Sequence, residues 1–311
     1  MILKPIKSLT NTYNKLSNWG KILIFIVLLL FVVVIFRNFK VDKKIEGFEQ
    51  NDEFLMKTDI DVYDNYYSNI YDYLVYNNVK NDYEIGEIIN KTEPTSQSLI
   101  LDVGSGTGHH TAALESRGFR TVGIDKSVDM VNKAKSVYPQ LKFVQGDVLN
   151  SSQFNNGLFT HILCLYFTLY YIKDKSTFFR NCYQWLKPGG YLVIHVVNRE
   201  MFDPILPPGN PLLLVSVQKY AKKRINTTEI TFDNFHYSSE FELKNNIAYF
   251  NEKFKFRDTG KVRKNQHILY MNTETDIITM AQNVGFIVEG KIDLLFCQYE
   301  YQYLYILSKP A

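Results

Sequence analysis

Cysteine is scarce. The 311-residue chain has three, Cys164, Cys182 and Cys297, an odd number at wide spacings and with no CxxC pair. Neither a disulfide framework nor a cysteine metal site follows, and a reducing compartment is the simpler setting. A surplus of one charge is lacking too. Lys and Arg total 35 against 32 Asp and Glu, a net charge of +3, with no long basic run. Charge therefore gives no reason to expect a nucleic-acid surface. Hydrophobic residues make up 46% of the chain and charged residues 22%, which is ordinary for a globular protein with a full core. What is plentiful is aromatic: 22 Tyr and 22 Phe. Together with frequent Asn and Lys this reads as a bias toward AT-rich codons rather than a functional signal. The three sequons, at Asn90, Asn150 and Asn226, are expected by chance in such a chain.

Long apolar runs are lacking after the N-terminal region. "ILIFIVLLLFVVVIF", Ile22 to Phe36, stands alone. Extended from Trp19 to Phe39 it covers about 31 Å as a helix, close to the ~30 Å of a bilayer core. Lys21 and Arg37 can snorkel and Trp19 can sit at the interface. A cleaved signal needs small residues after the run, whereas "RNFKVDKK" follows. The expectation is a tail over 1–21, a transmembrane anchor over 22–39, a polar linker over 40–60 and a soluble domain over 61–311. Basic residues flank the run almost evenly, so charge does not set its orientation.

The soluble part alternates strand and helix. "SLILDV" reads as a strand, Thr107 to Arg117 as a helix ended by Gly118, and "FRTVGID" as a second strand. Ser127 to Val137 reads as a helix stopped before Pro139, then "LKFVQGD" and "THILCLY" as strands. Lys173 to Leu186 is helix-like, and "KPGG" turns into the strand "YLVIHVV". Near the end come a helix over Thr273 to Asn283, the strand "GFIVEGKIDL" and a last strand in "YEYQYLYILSKP". This alternation predicts a doubly wound α/β sheet whose ligand lies at the carboxyl ends of the strands. An insertion over about 200–271 opens on the proline-rich "MFDPILPPGNP". In it Ala248, Phe250, Glu252, Phe254 and Phe256 share one strand face. We expect it to form an antiparallel patch over the edge of the site.

The strand-to-helix turn "LDVGSGTGHH" carries Gly104, Gly106 and Gly108. Glycines there let backbone approach a ligand, and the helix start offers free N–H groups. A dinucleotide fingerprint needs a small residue at position 109, where His109 stands, and no GxxxxGK[ST] occurs. Asp102, two residues before the first glycine, suits a ligand with a positive amino group and would repel a pyrophosphate. Asp125 ends the second strand about twenty residues on, placed for ribose hydroxyls. Met130 can pack on an adenine face, and Asp147 can accept from an adenine amino group. Together these describe an amino acid joined to adenosine.

With "LILDVGSGTGHHT", "TVGIDKSVDMVNKA", "KFVQGDV", "HILCLYFTLYYI" and "WLKPGGYLVIHVV" in order, the chain resembles the Rossmann-like class I S-adenosylmethionine-dependent methyltransferases, in their small-molecule group. The resemblance runs over about 60–308. It implies S-adenosylmethionine as cofactor, with Asp102, Gly104, Ser105, Gly106 and Gly108 at its methionine part and Asp125 at the ribose. It places Lys126, Met130, Asp147 and Val148 around the adenine, Leu165 presenting backbone, and Tyr66, Tyr67 and Tyr71 on an aromatic helix over the cofactor. Two features depart from the family. Thr160-His161 stands where an acidic residue often begins the fourth strand, and no (D/N)PP(Y/F) follows that strand, which argues against methylation of adenine or glutamine amino groups.

Methyl transfer needs a base only if the acceptor must first lose a proton. His195, His267, Tyr166 and Tyr170 are the candidates, although a lone strand histidine is more often structural. Glu252 could face a cationic acceptor, although a strand-edge carboxylate is usually solvated. His109 and His110, being adjacent, do not form a metal pair, and no metal is expected. The leading expectation is a membrane-anchored methyltransferase acting on a small or lipid-like acceptor, its domain facing the cytosol of a viral or host membrane. The alternatives are a protein methyltransferase and a non-catalytic membrane or virion component.

Overall fold

The computed structural model describes residues 17–38, 54–209 and 216–311. The chain divides into two compact units, one through Gly47 and one from Phe48 to Ala311. In the first, α1 spans Asn18–Asn38. Its described side chains reach Leu29, and Ile22 to Leu29 are all exposed, so no face of this stretch is buried. The transmembrane anchor expected over 22–39 is not supported: among the described residues no helix is long and apolar enough to cross a membrane.

The first described element of the second unit is β1 (Phe54–Thr58), inside the stretch expected to be linker, followed by a short 3-10 turn over Asp59–Val62. Next come α2 (Asn65–Val75) and α3 (Asn78–Thr92). Asp64 caps α2 by accepting from Tyr67 N at 3.1 Å, and Asn77 caps α3 by accepting from Lys80 N at 3.0 Å. The alternating part then reads β2 (Leu99–Val103), α4 (His109–Glu115), β3 (Arg120–Asp125), α5 (Val128–Val137), β4 (Lys142–Gln145) and β5 (Phe159–Cys164). It continues with α6 (Thr168–Tyr171), α7 (Lys175–Trp185) and β6 (Leu186–Val197). The "KPGG" turn expected before the fifth strand lies within β6, where a register irregularity against β5 absorbs it. The insertion holds β7 (Thr227–Thr231), β8 (Phe235–Lys244), β9 (Ile247–Phe256) and β10 (Val262–Tyr270). α8 (Glu274–Val284), β11 (Ile287–Asp293) and β12 (Gln302–Ser308) finish the chain.

Seven strands form the main sheet in the order β11-β12-β6-β5-β2-β3-β4. β2 to β6 pair in parallel, and β12 runs antiparallel to both β6 and β11. This is the doubly wound α/β sheet expected from the alternation. Its faces are covered by apolar stripes such as Phe178, Cys182 and Trp185 of α7, all fully buried. The order reverses between β2 and β5, so the turns after those strands open onto one crevice.

The insertion is larger in consequence than a patch. β7 to β10 form an antiparallel meander, and β1 joins its edge parallel to β10, giving a second sheet in the order β1-β10-β9-β8-β7. The expected shared face of β9 is real: Ala248, Glu252 and Phe254 are buried on it.

Candidate active site

At the crevice the glycine turn follows β2. Gly104 and Ser105 donate their N–H groups to the Ile124 carbonyl at 2.8 and 3.0 Å, which folds the turn onto β3. Gly104 has φ +67°, and a Cβ there would lie 2.4 Å from Thr168 Cγ2, so no other residue fits. Gly106, at φ +54°, is different: the nearest atom to an added Cβ is the Tyr71 ring at 3.9 Å. Its backbone therefore borders open space between the turn and α2. That space is a cavity of about 440 Å³. Of the residues expected at a cofactor, Tyr71, Gly104, Gly106, Asp125, Lys126, Met130, Asp147 and Val148 line it. Asp102, Ser105 and Leu165 line a smaller adjoining cavity of about 80 Å³, which shares Tyr71, Gly104 and Gly106. Gly108 borders neither. It precedes α4 at φ +92°, packed on Phe143.

The carboxylates are poised differently. Asp125 accepts from Gly106 N and Ser127 N, both at 2.9 Å, one on each oxygen. Burial pushes its pKa up from the ordinary value, partly offset by those donors. Each oxygen keeps a lone pair for a further donor, which is what a ribose diol supplies. Asp102 is buried and accepts from Thr111 Oγ1 at 2.8 Å, and burial raises its pKa. Asp147 is more open, paired with Lys126 Nζ at 3.1 Å. The nucleoside features therefore border the larger cavity, and the carboxylate suited to a positive amino group borders the smaller. The residues present fit an adenosine carrying an amino-acid tail.

The opposite wall is aromatic. Tyr63, Tyr67, Tyr71, Tyr166, Tyr171 and Phe250 line the cavity together with His267. The His267 ring lies 5.6–6.0 Å, centroid to centroid, from those of Phe250, Tyr63, Tyr67 and Tyr171. Its Nδ1 is 2.9 Å from the Tyr171 hydroxyl and its Nε2 is 2.8 Å from Glu252 Oε2. Glu252 is fully buried rather than solvated, because β9 is an inner strand of the second sheet. It also accepts from Tyr67 (3.1 Å), Tyr237 (2.8 Å) and Asn265 (3.0 Å). Burial alone would raise its pKa, but His267 and these hydrogen bonds outweigh burial and hold it below the usual value. The β9–β10 register sets Asn265 opposite Glu252, so His267, two residues on, falls on the same face. Neighbouring carboxylate and phenol let the imidazole take a proton from a hydroxyl at its Nδ1 and be stabilised from its Nε2.

Two expected bases lie elsewhere. His195 is fully buried and does not line the cavity. Its Nδ1 donates to the Tyr166 carbonyl and its Nε2 lies 3.0 Å from the Gln302 amide. Burial, with Lys80 nearby, pushes its pKa down to about 4, so the ring is neutral. Its work is to hold Tyr166, whose backbone sits at φ +51°, in a strained turn that faces the cavity. Tyr170 is buried, with its hydroxyl accepting from Val197 N at 2.8 Å.

The histidines after the glycine turn have structural partners that spacing did not reveal. His109 lies 2.9 Å from Asp72 and stacks on Tyr76 at 3.9 Å between centroids. His110 lies 3.1 Å from Glu84. Glu84 is fully buried and paired with buried Lys80 at 2.6 Å. Each histidine thus ties α4 to a different N-terminal helix, α2 or α3. The polarity of "YDNYYSNIYDYL" was a usable signal for the first helix. Nothing local marked the buried Lys80–Glu84 pair.

Comparison with known proteins agrees with this geometry. The family model described as a methyltransferase domain matches residues 101–194. A phosphoethanolamine N-methyltransferase of Plasmodium falciparum is 31% identical over 115 residues, 35% of this chain and 42% of that protein. A ubiquinone biosynthesis O-methyltransferase of Rickettsia typhi is 29% identical over 126 residues, 40% of this chain and 50% of that protein. The chain thus spans about half the length of these curated relatives. An S-adenosylmethionine-dependent methyltransferase from Clostridium acetobutylicum shares the fold, with a TM-score of 0.59 at 17% identity over 79% of this chain and 96% of that one. Residues 101–194 thus match a methyltransferase domain, and the chain shares its fold with a solved S-adenosylmethionine-dependent methyltransferase.

Proposed function

We propose that the protein transfers a methyl group from S-adenosylmethionine to a small-molecule acceptor seated against the tyrosine wall. The observation that carries this is the chain Tyr171–His267–Glu252, with links of 2.9 and 2.8 Å, opening on the same cavity as Asp125 and the glycine turn. When bound, the cofactor supplies a methyl group activated by a sulfonium. Asp125 would hold the ribose, Met130 and Asp147 the adenine, and Asp102 with the Gly104–Gly106 turn the amino-acid end. Tyr171 would take a proton from the acceptor as its own passes to His267, and Glu252 would stabilise the imidazolium that results. A cavity of about 440 Å³ suits small molecules. It favours them over a protein side chain presented from a folded partner. Both curated relatives carry small-molecule names. The apolar part of the wall, including Phe202, Leu206, Phe241 and Leu269, supports an acceptor with an apolar or lipid-like body.

The proposal extends to location. The exposed apolar stretch Ile22 to Leu29 supports attachment to a membrane, and the three buried free thiols support a reducing, cytosol-facing side. Flotation with lipid vesicles tests attachment: recovery of the full chain in the soluble fraction refutes it. Calorimetry with S-adenosylmethionine and its demethylated product tests the activity. Binding of neither ends the methyltransferase reading, and mass spectrometry of an acceptor panel then reads the transfer itself.

A further inference from the structure

We propose that the acceptor presents an ammonium to the tyrosine wall and is methylated on nitrogen. This rests on the reading above and narrows it to one substrate class.

Three observations point this way. First, the wall is built of aromatic rings. Tyr63, Tyr67, Tyr171 and Phe250 surround His267 within 6.0 Å between ring centroids. Desolvated aromatic surroundings attract a cation and offer nothing comparable to a neutral or anionic group. Second, the charge around the cavity is negative. Asp59, Asp125, Asp147 and Asp203 border it against Lys126 and Lys173. Lys126 pairs with Asp147 at 3.1 Å, and Lys173 lies over the Tyr270 ring at 5.7 Å. Third, Glu252 lies directly behind the wall, meeting His267 Nε2 at 2.8 Å and accepting from Tyr67, Tyr237 and Asn265. The buried Arg263 reaches Asn265, not Glu252, and its charge meets Asp64 at 2.9 and 3.0 Å. Glu252 therefore places a carboxylate, shared with His267, behind the aromatic wall.

The proton chemistry agrees. An alkylammonium with a pKa near ~10.4 lies about four units above an ordinary imidazole, whereas an aliphatic hydroxyl lies near water's ~15.7. One N–H bond of the ammonium breaks as its proton goes to the Tyr171 oxygen. The Tyr171 proton moves to His267 Nδ1, giving an imidazolium against Glu252. The freed nitrogen lone pair then forms the N–C bond as the donor's S–C bond breaks to a neutral thioether. The product is again an ammonium, and the imidazolium returns its proton to solvent.

The test uses the full chain saturated with the demethylated cofactor and four probes of similar shape: 2-phenylethylamine, 2-phenylethanol, 4-ethylphenol and 3-phenylpropanoate. Calorimetry is expected to rank the amine first, by about tenfold over the alcohol. With S-adenosylmethionine present, mass spectrometry is expected to find methyl on its nitrogen. Tyr63→Leu is expected to weaken the amine about fivefold and leave the alcohol unchanged, while Tyr63→Phe keeps amine binding because the ring remains. A phenol, alcohol or carboxylate ranking first overturns the inference, as does failure to bind the amine or an equal loss for all probes in Tyr63→Leu. Failure to bind the demethylated cofactor at all refutes the parent reading instead, so the two failures are separate.

Discussion

His195 contributes stability rather than chemistry, and this has a pH signature. Its pKa falls from 6.5 to about 4 in the fold. Between those values the unfolded chain binds the extra proton, so folding stability drops as pH falls from about 6.5 to about 4 and then levels off. The loss is of order 3 kcal/mol by linkage. Urea midpoints measured across that range should show the drop, and His195→Gln should flatten it; an unchanged slope refutes the assignment. On the proposed function, Asp125 serves cofactor binding and His267 serves the chemistry. Asp125→Ala leaves two backbone N–H groups without their carboxylate and should cost roughly tenfold to a hundredfold in affinity for the demethylated cofactor. His267→Gln should leave that affinity near wild type while lowering kcat by about 10²–10⁴. A loss of cofactor affinity with unchanged kcat would place His267 on the wrong side of the site. Asp125 was readable from its place at the end of a strand. His267 was only one candidate among four, because its partner Glu252 lies on another strand.

At the level of elements, the N-terminal helices are held to the glycine-turn helix by polar side-chain pairs as well as by apolar contact. Asp72 accepts from Thr107 at 2.6 Å and meets His109, while Glu84 meets both Lys80 and His110. Burial works to raise the Glu84 pKa, but Lys80 and His110 outweigh it and hold it at about 2. Glu84→Gln leaves Lys80 buried without its partner and should destabilise the fold by about 3–5 kcal/mol in urea unfolding. A change under about 1 kcal/mol would mean that Lys80 escapes to water. The alternation of β2 to β6 with helices was legible because apolar runs and turn residues mark each element locally. β1 was not. Its five residues, "FLMKT", follow a polar stretch and become a strand only by pairing with β10, more than two hundred residues later.

On the scale of the whole molecule, the second sheet closes the crevice that the main sheet opens. Tyr171 comes from the main fold, His267 and Glu252 from the insertion, and Tyr63 and Tyr67 from the segment that precedes both. Removing residues 1–47 should leave cofactor affinity unchanged while abolishing vesicle flotation; retained flotation would refute the attachment proposed for α1. The sequence by itself determined the doubly wound sheet, the glycine turn and the carboxylates at the strand ends, because periodicity and position along a strand are local properties of the chain. The tertiary structure alone decided that His195 is buried and His267 faces the cavity. It also decided that Glu252 is a charge in the core and that His109 and His110 fasten two helices. Those roles depend on register and packing between distant segments, and a buried polar group takes its character from the partner it meets rather than from its neighbours in the chain.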